Sequence, residues 1–144
     1  MTLYFVETTV TEQRPLLCDW AERFYTEKQK VQIVVDSTPA AQYIDQLLWT
    51  FSQSSFIPHL ILGPDKEDLV EPVLITIGEI QIPGFTTVLC DAPVSFEFMA
   101  GFETVVHFIL RDDPERRQES RLLWQRVRDM KMNPVHIAYK QQTK

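Results

Sequence analysis

Thr104-Val105-Val106-His107-Phe108-Ile109-Leu110-Arg111-Asp112-Asp113-Pro114-Glu115 is the stretch on which the fold turns. Its first seven residues are β-branched, aromatic or aliphatic almost without interruption, as in a strand covered on both faces. Asp113-Pro114-Glu115 then supplies a cap, a proline at the first helical position and an acid in the first turn, so a helix is expected to run to about Lys131. Asn133-Pro134 stops that helix, and residues 135–139 read as a further strand. Strand, helix and strand in this order are one α/β unit.

The same alternation extends upstream. Leu3 to Thr8 reads as a strand, and a helix is expected from about Glu12 to Gln29, with Leu16, Leu17, Trp20 and Phe24 on its buried stripe. Val31-Gln32-Ile33-Val34-Val35 reads as a central strand. Ser37-Thr38-Pro39 opens a second helix, whose buried stripe is Ile44, Leu47, Leu48 and Phe51. Residues 59–62, 72–77 and 86–90 are short strand candidates, and the charged stretch 63–71 is expected to be mobile. The chain of 144 residues, 44% hydrophobic, is therefore expected to form one α/β domain over 1–144, a three-layer sheet with flanking helices.

Several functions are disfavoured by what the sequence holds. The four glycines, Gly63, Gly78, Gly84 and Gly101, form neither a dinucleotide fingerprint nor a phosphate-binding loop, so no nucleotide-binding motif is present. His59, His107 and His136 are scattered over three elements without zinc-like spacing, so no metal and no cofactor is expected. Cys18 and Cys90 read as small buried hydrophobes of a reducing compartment. No apolar run is long enough to span a bilayer and no signal-like start is seen, so a cytoplasmic, non-membrane protein is expected. With 14 Lys+Arg against 20 Asp+Glu, sequence-independent duplex binding is disfavoured as well.

Against that acidic background, six of the eight arginines lie between Arg111 and Arg128. Arg117, Arg121, Trp124 and Arg128 fall on one helical face, and an angular count of about 100° per residue puts them opposite a core stripe of Leu122, Leu123, Val127 and Met130. Arg126 projects toward the apolar side and fits only if its stem packs and its head snorkels out. Trp49 is likewise displaced from the stripe of its own helix, and the following loop, Ser55-Phe56-Ile57-Pro58, is apolar. The bland alternatives are an edge-covering tryptophan, solvated arginines and loop residues tucked under the fold. The sharper reading joins Trp49, Phe56, Trp124 and the arginines into one pocket for an acidic peptide end carrying a large apolar side chain.

Taken together, Ile44-Asp45-Gln46-Leu47-Leu48-Trp49, Ser55-Phe56-Ile57-Pro58-His59, residues 104–108 and Arg121-x-x-Trp124-x-x-x-Arg128 resemble the chi subunit family of bacterial DNA polymerase III. That resemblance implies a Rossmann-like fold without a nucleotide site, and an accessory subunit with no enzymatic activity. It implies two partners, the psi subunit, which connects to the clamp loader, and the acidic C-terminal tail of single-stranded DNA-binding protein, which ends in phenylalanine. Carried over, Arg121 meets the tail carboxylate, Arg117 and Arg128 face its acids, Trp124 flanks it, and Trp49, Phe56 and Ile109 help to form the pocket. Gln125 stands where the family often has lysine, which leaves the tail affinity open, with Lys131 and Arg116 as alternative cations. Phe96, Phe98, Met99 and Phe102 are either a psi contact or ordinary core. The competing functions are a small α/β enzyme that clamps an anionic metabolite with the same arginines, and an adaptor of this fold serving a helicase or repair protein.

Overall fold

The computed structural model describes residues 1–50, 56–63 and 71–140. The expected Phe51 anchor, residues 52–55 and most of the charged stretch, 64–70, lie outside them. In chain order the elements are β1 (Thr2–Thr8), α1 (Gln13–Thr26), β2 (Val31–Val35), α2 (Thr38–Thr50), β3 (His59–Ile61), β4 (Val73–Ile77), β5 (Thr87–Cys90), α3 (Phe96–Met99), β6 (Thr104–Leu110), α4 (Pro114–Asp129) and β7 (Pro134–Ile137). The described strands form one sheet in the order β3-β4-β2-β5-β6-β1-β7, and every pairing is parallel. The α/β class and the layered sheet follow from the sequence as expected.

Strand alternation sends successive side chains to opposite faces. One face carries Val6, Val31, Ile33, Val35, Val73, Ile75, Leu89, Val106 and Phe108, packed under Leu17, Trp20 and Phe24 of α1 and Ile44 and Leu48 of α2. The other carries Leu3, Phe5, Val34, Val88, Cys90 and Val105, packed under Phe98 and Met99 of α3 and Val127 of α4. Gln32 is the polar exception inside β2, and its amide donates to Thr76 Oγ1 at 3.1 Å and to the Ile80 carbonyl at 2.7 Å. Burial pushes both the Cys18 and Cys90 thiols up to about 12, which leaves them as apolar filling.

Helix boundaries follow local chemistry. Ser37 Oγ accepts from the Ala40 N–H at 3.2 Å, and Asp113 Oδ1 accepts from the Arg116 N–H at 3.1 Å, with Pro114 opening α4. Helices α1 and α4 end in left-handed lysines, Lys28 at φ 63° and Lys131 at φ 59°. The next amides, Gln29 and Met132, then reach back to the carbonyls of Phe24 and Val127 at 3.0 and 3.2 Å. This closure ends α1 at Thr26 and α4 at Asp129, two or three residues before the apolar pattern suggests. The one-turn α3 was not anticipated from periodicity. It forms because Ser95 Oγ accepts from the Phe98 N–H at 3.2 Å while donating to Glu79 at 2.7 Å.

Candidate functional site

The polypeptide places α4 over β6, β1 and β7, and the sequence count of its faces is only half right. Leu122 is 62% exposed and Met130 52% exposed, so neither belongs to the core stripe. The inward residues are Ser120, Leu123, Trp124 and Val127. The reason lies in β6, where buried His107 points at the helix and its Nε2 meets Ser120 Oγ at 2.8 Å. A small polar residue is thus required at the closest approach, and the helix is rotated to supply it. Desolvation, with a smaller contribution from the Arg116 charge, pulls His107 down to about 4, so it is neutral near pH 7.

That rotation brings Trp124 partly into the core. Its ring lies 5.0 Å from Phe5 at 83° and 6.2 Å from His136 at 78°, both edge-on. Above this aromatic layer an open groove of about 590 Å³ is lined by Phe5, Glu7, Ile109, Arg111, Arg117, Ser120, Arg121, Trp124, Gln125 and His136. Register explains the floor: Glu7 lies beside Ile109, and Phe5 lies between His107 and His136. Glu7, the one carboxylate in this lining, is engaged by His136 Nε2 at 2.7 Å.

The groove cations are left without acids. Among the described residues the Arg121 side chain has no hydrogen bond or ion pair, and the Arg117 guanidinium only donates to the Arg111 carbonyl at 3.4 Å. Gln125 is turned to Asp129 Oδ1 at 2.9 Å. Arg126 behaves as its position demands, stacking at 4.6 Å over Phe96 and reaching Glu97 at 3.1 Å. Arg128 is exposed, has no partner among the described residues and does not line the groove.

Trp49 and Phe56 are elsewhere. They pack on each other with ring centroids 5.3 Å apart and on His59 at 4.6 Å from Trp49, at the β3 edge beneath the end of α2. The single pocket expected from the two tryptophans therefore does not form. Five strand steps separate β3 from β1, about 24 Å, and α2 and α4 cover opposite faces. Trp49 is 50% and Phe56 63% exposed, while His59, held by Ile57 O at 2.7 Å and Asp45 Oδ1 at 3.0 Å, fixes their platform.

The crevice at the carboxyl ends of β2 and β5, where the chain departs to opposite faces and α/β sheets commonly bind ligands, keeps a smaller pocket of about 270 Å³ whose lining includes Gln13, Arg14, Asp36, Asp91 and Arg116. Arg14 grips buried Asp91 through two contacts of 3.1 Å, and Gln13 donates to the Asp91 carbonyl at 2.7 Å. Among the described residues no cluster of three or more His, Cys, Asp or Glu is placed to hold a metal ion. Nor is any helix there long and apolar enough to cross a membrane.

Beside this geometry, comparison with known proteins is decisive. The family described as DNA polymerase III chi subunit, HolC, matches residues 1–134. The chain belongs to this chi family. The chi-family chain is accordingly an accessory subunit of the polymerase III complex. No curated protein matches it. Among solved structures it is similar to one titled "Mss116p DEAD-box helicase domain 2 bound to an RNA duplex", with a TM-score of 0.64 and 11% identity. That alignment covers 97% of the chi-family chain and 65% of the helicase-domain chain, and at such identity the likeness is one of fold alone.

Proposed function

We propose that this chi-family chain is a noncatalytic adaptor that holds the acidic C-terminal tail of single-stranded DNA-binding protein in the α4 groove and the psi subunit on a separate surface. The observation that carries the tail reading is the pair Arg117 and Arg121, which have no carboxylate partner and border an aromatic floor on an acidic protein. Arg121 serves the terminal carboxylate, Arg117 an upstream acid, and Trp124 with Ile109 receives the terminal phenylalanine. Gln125, bonded to Asp129, adds no charge, so the tail is held by fewer cations than the family pattern offers.

Of the sequence candidates for psi, Phe98, Met99 and Phe102 are core residues with 4%, 1% and 4% exposure, and Phe96 is half-buried with Arg126 stacked on it. Exposed aromatic surface is supplied instead by Trp49 and Phe56, which we assign to psi. Their position on the opposite face lets both partners bind at once, so the chain tethers polymerase to coated single strands by raising local concentration. The enzyme alternative gains little support. Asp112 accepts from the Val10 N–H at 3.0 Å, Asp113 caps α4, and Glu119 faces Arg116 at 3.9 Å, so these acids are structurally engaged.

Titration with a fluorescent peptide ending in Asp-Asp-x-x-Pro-Phe tests the tail assignment. The free-acid peptide is expected to bind at least tenfold more tightly than its C-terminal amide, as a charge-assisted contact requires. Equal affinity for the two would sink it.

A further inference from the structure

The groove holds a third guanidinium that the helical pattern does not include. Arg111 follows the end of β6, and its N–H donates to the Thr8 carbonyl at 3.0 Å, which carries it across the end of β1. Its guanidinium carbon lies 4.5 Å from the centre of the Tyr139 ring. The Tyr139 hydroxyl in turn donates to Glu12 Oε1 at 3.1 Å, tying the segment after β7 to the start of α1. Arg111 is thus held by an aromatic face, and has no carboxylate partner among the described residues. Its carbonyl accepts from Arg117, which fixes the two residues as neighbours.

α4 begins beyond the carboxyl end of β6 and packs back along the sheet. The groove cations are therefore ordered Arg111, Arg117, Arg121 from that end inward, before Trp124. Arg128 lies on the other side of Trp124, about 10 Å along the helix axis from Arg121, and is not part of the lining.

We propose that the groove reads its peptide in one direction. The terminal carboxylate and aromatic side chain sit at Arg121 and Trp124, and the upstream acids run outward to Arg117 and Arg111. Arg111 contacts the ligand, Tyr139 is a positioning residue, and Arg128 plays no part. An extended chain advances about 3.3 Å per residue, so acids four or five residues before the terminus reach about 13–17 Å, enough to pass Arg117. The inference rests on the tail reading and adds to it a polarity and two residues outside α4.

Two peptides, one ending in Asp-Asp-x-x-Pro-Phe and one with both aspartates replaced by asparagine, are titrated against the full chain and its variants. Arg111→Gln is expected to weaken the acidic peptide about threefold, as for an exposed charge pair, while changing the asparagine peptide by less than about 1.5-fold. Tyr139→Leu should give the same selective loss with an unchanged far-ultraviolet spectrum, and Arg128→Gln should alter neither peptide. Equal effects of Arg111→Gln on both peptides, no effect on either, or a selective loss with Arg128→Gln would overturn the proposed direction. Arg121→Ala separates the two levels: if it leaves both peptides bound as before, the tail reading itself fails, whereas loss of both with an inert Arg111 condemns only the direction.

Discussion

Trp124 meets Phe5 edge-on at 5.0 Å, so the aromatic ring that flanks the groove is also a packing element between α4 and β1. The proposed ligand contact and stability are therefore coupled at this residue. Trp124→Ala is expected to cost about 2 kcal/mol of folding stability, less than a fully buried tryptophan because the ring is only partly buried. Trp124→Phe should recover most of that. Urea denaturation of the two variants measures the difference.

The inward face of α4 can be checked independently of any ligand. Val127→Ala removes two methyl groups from a site with 0% exposure and should destabilise by about 2 kcal/mol. Leu122→Ala, at a residue 62% exposed, should stay within about 0.5 kcal/mol. The reverse order would mean that the helix is rotated as the apolar count suggested.

Arg121→Ala should weaken the free-acid tail peptide by about 1.5–3 kcal/mol while leaving the melting temperature unchanged, since Arg121 makes no hydrogen bond or ion pair within the described residues. Isothermal titration and a thermal melt read the two quantities. The same peptide should lose affinity steadily between about 0.05 and 0.5 M salt, because its partners are exposed charges.

Trp49→Ala together with Phe56→Ala should abolish copurification of psi and leave the tail peptide affinity within about twofold, because the two surfaces lie on different faces and edges. A parallel loss at both surfaces would show that they are not separate.

His107 gives a pH signature. Its folded value of about 4 lies below the ordinary 6.5, so the unfolded chain binds the extra proton between those limits. Stability contributed by neutral His107 is therefore full above about pH 6.5 and falls as pH drops toward 4, by about 3 kcal/mol in all. His107→Gln, which can still bond Ser120, should show a shallower decline in urea melts at pH 7, 5.5 and 4.5 than the parent chain.

The sheet was legible because its strands are short runs such as Val31–Val35, buried on both faces and therefore apolar at nearly every position. Two things were not. The rotation of α4 depends on the His107–Ser120 contact, and a hydrophobic count treats serine as outward and leucine as inward. The separation of Trp49 and Phe56 from Trp124 depends on strand order, which no local pattern records: β3 and β1 look alike in sequence and lie near opposite edges. Arg117, Arg121, Trp124 and Ile109 do share one groove, since all four follow from a single strand-to-helix unit. Arg111 and Tyr139 were missed as a pair because the cation–π contact joins segments that only the finished sheet brings together.

The first strand of the chain is locked between the last two, with Thr2 opposite Thr104 and Leu3 opposite Pro134. During synthesis β1 must wait, with Leu3 and Phe5 uncovered, until β6 and α4 have left the ribosome. The hub around β2 has its neighbours β4 and β5 much sooner. Every floor residue of the groove comes from the late-closing half: Phe5 and Glu7 from β1, Ile109 from β6, His136 from β7. A nascent chain that has not yet released β6 and α4 would thus have the Trp49–Phe56 platform but no arginine groove, so that the groove reports closure of this half of the sheet.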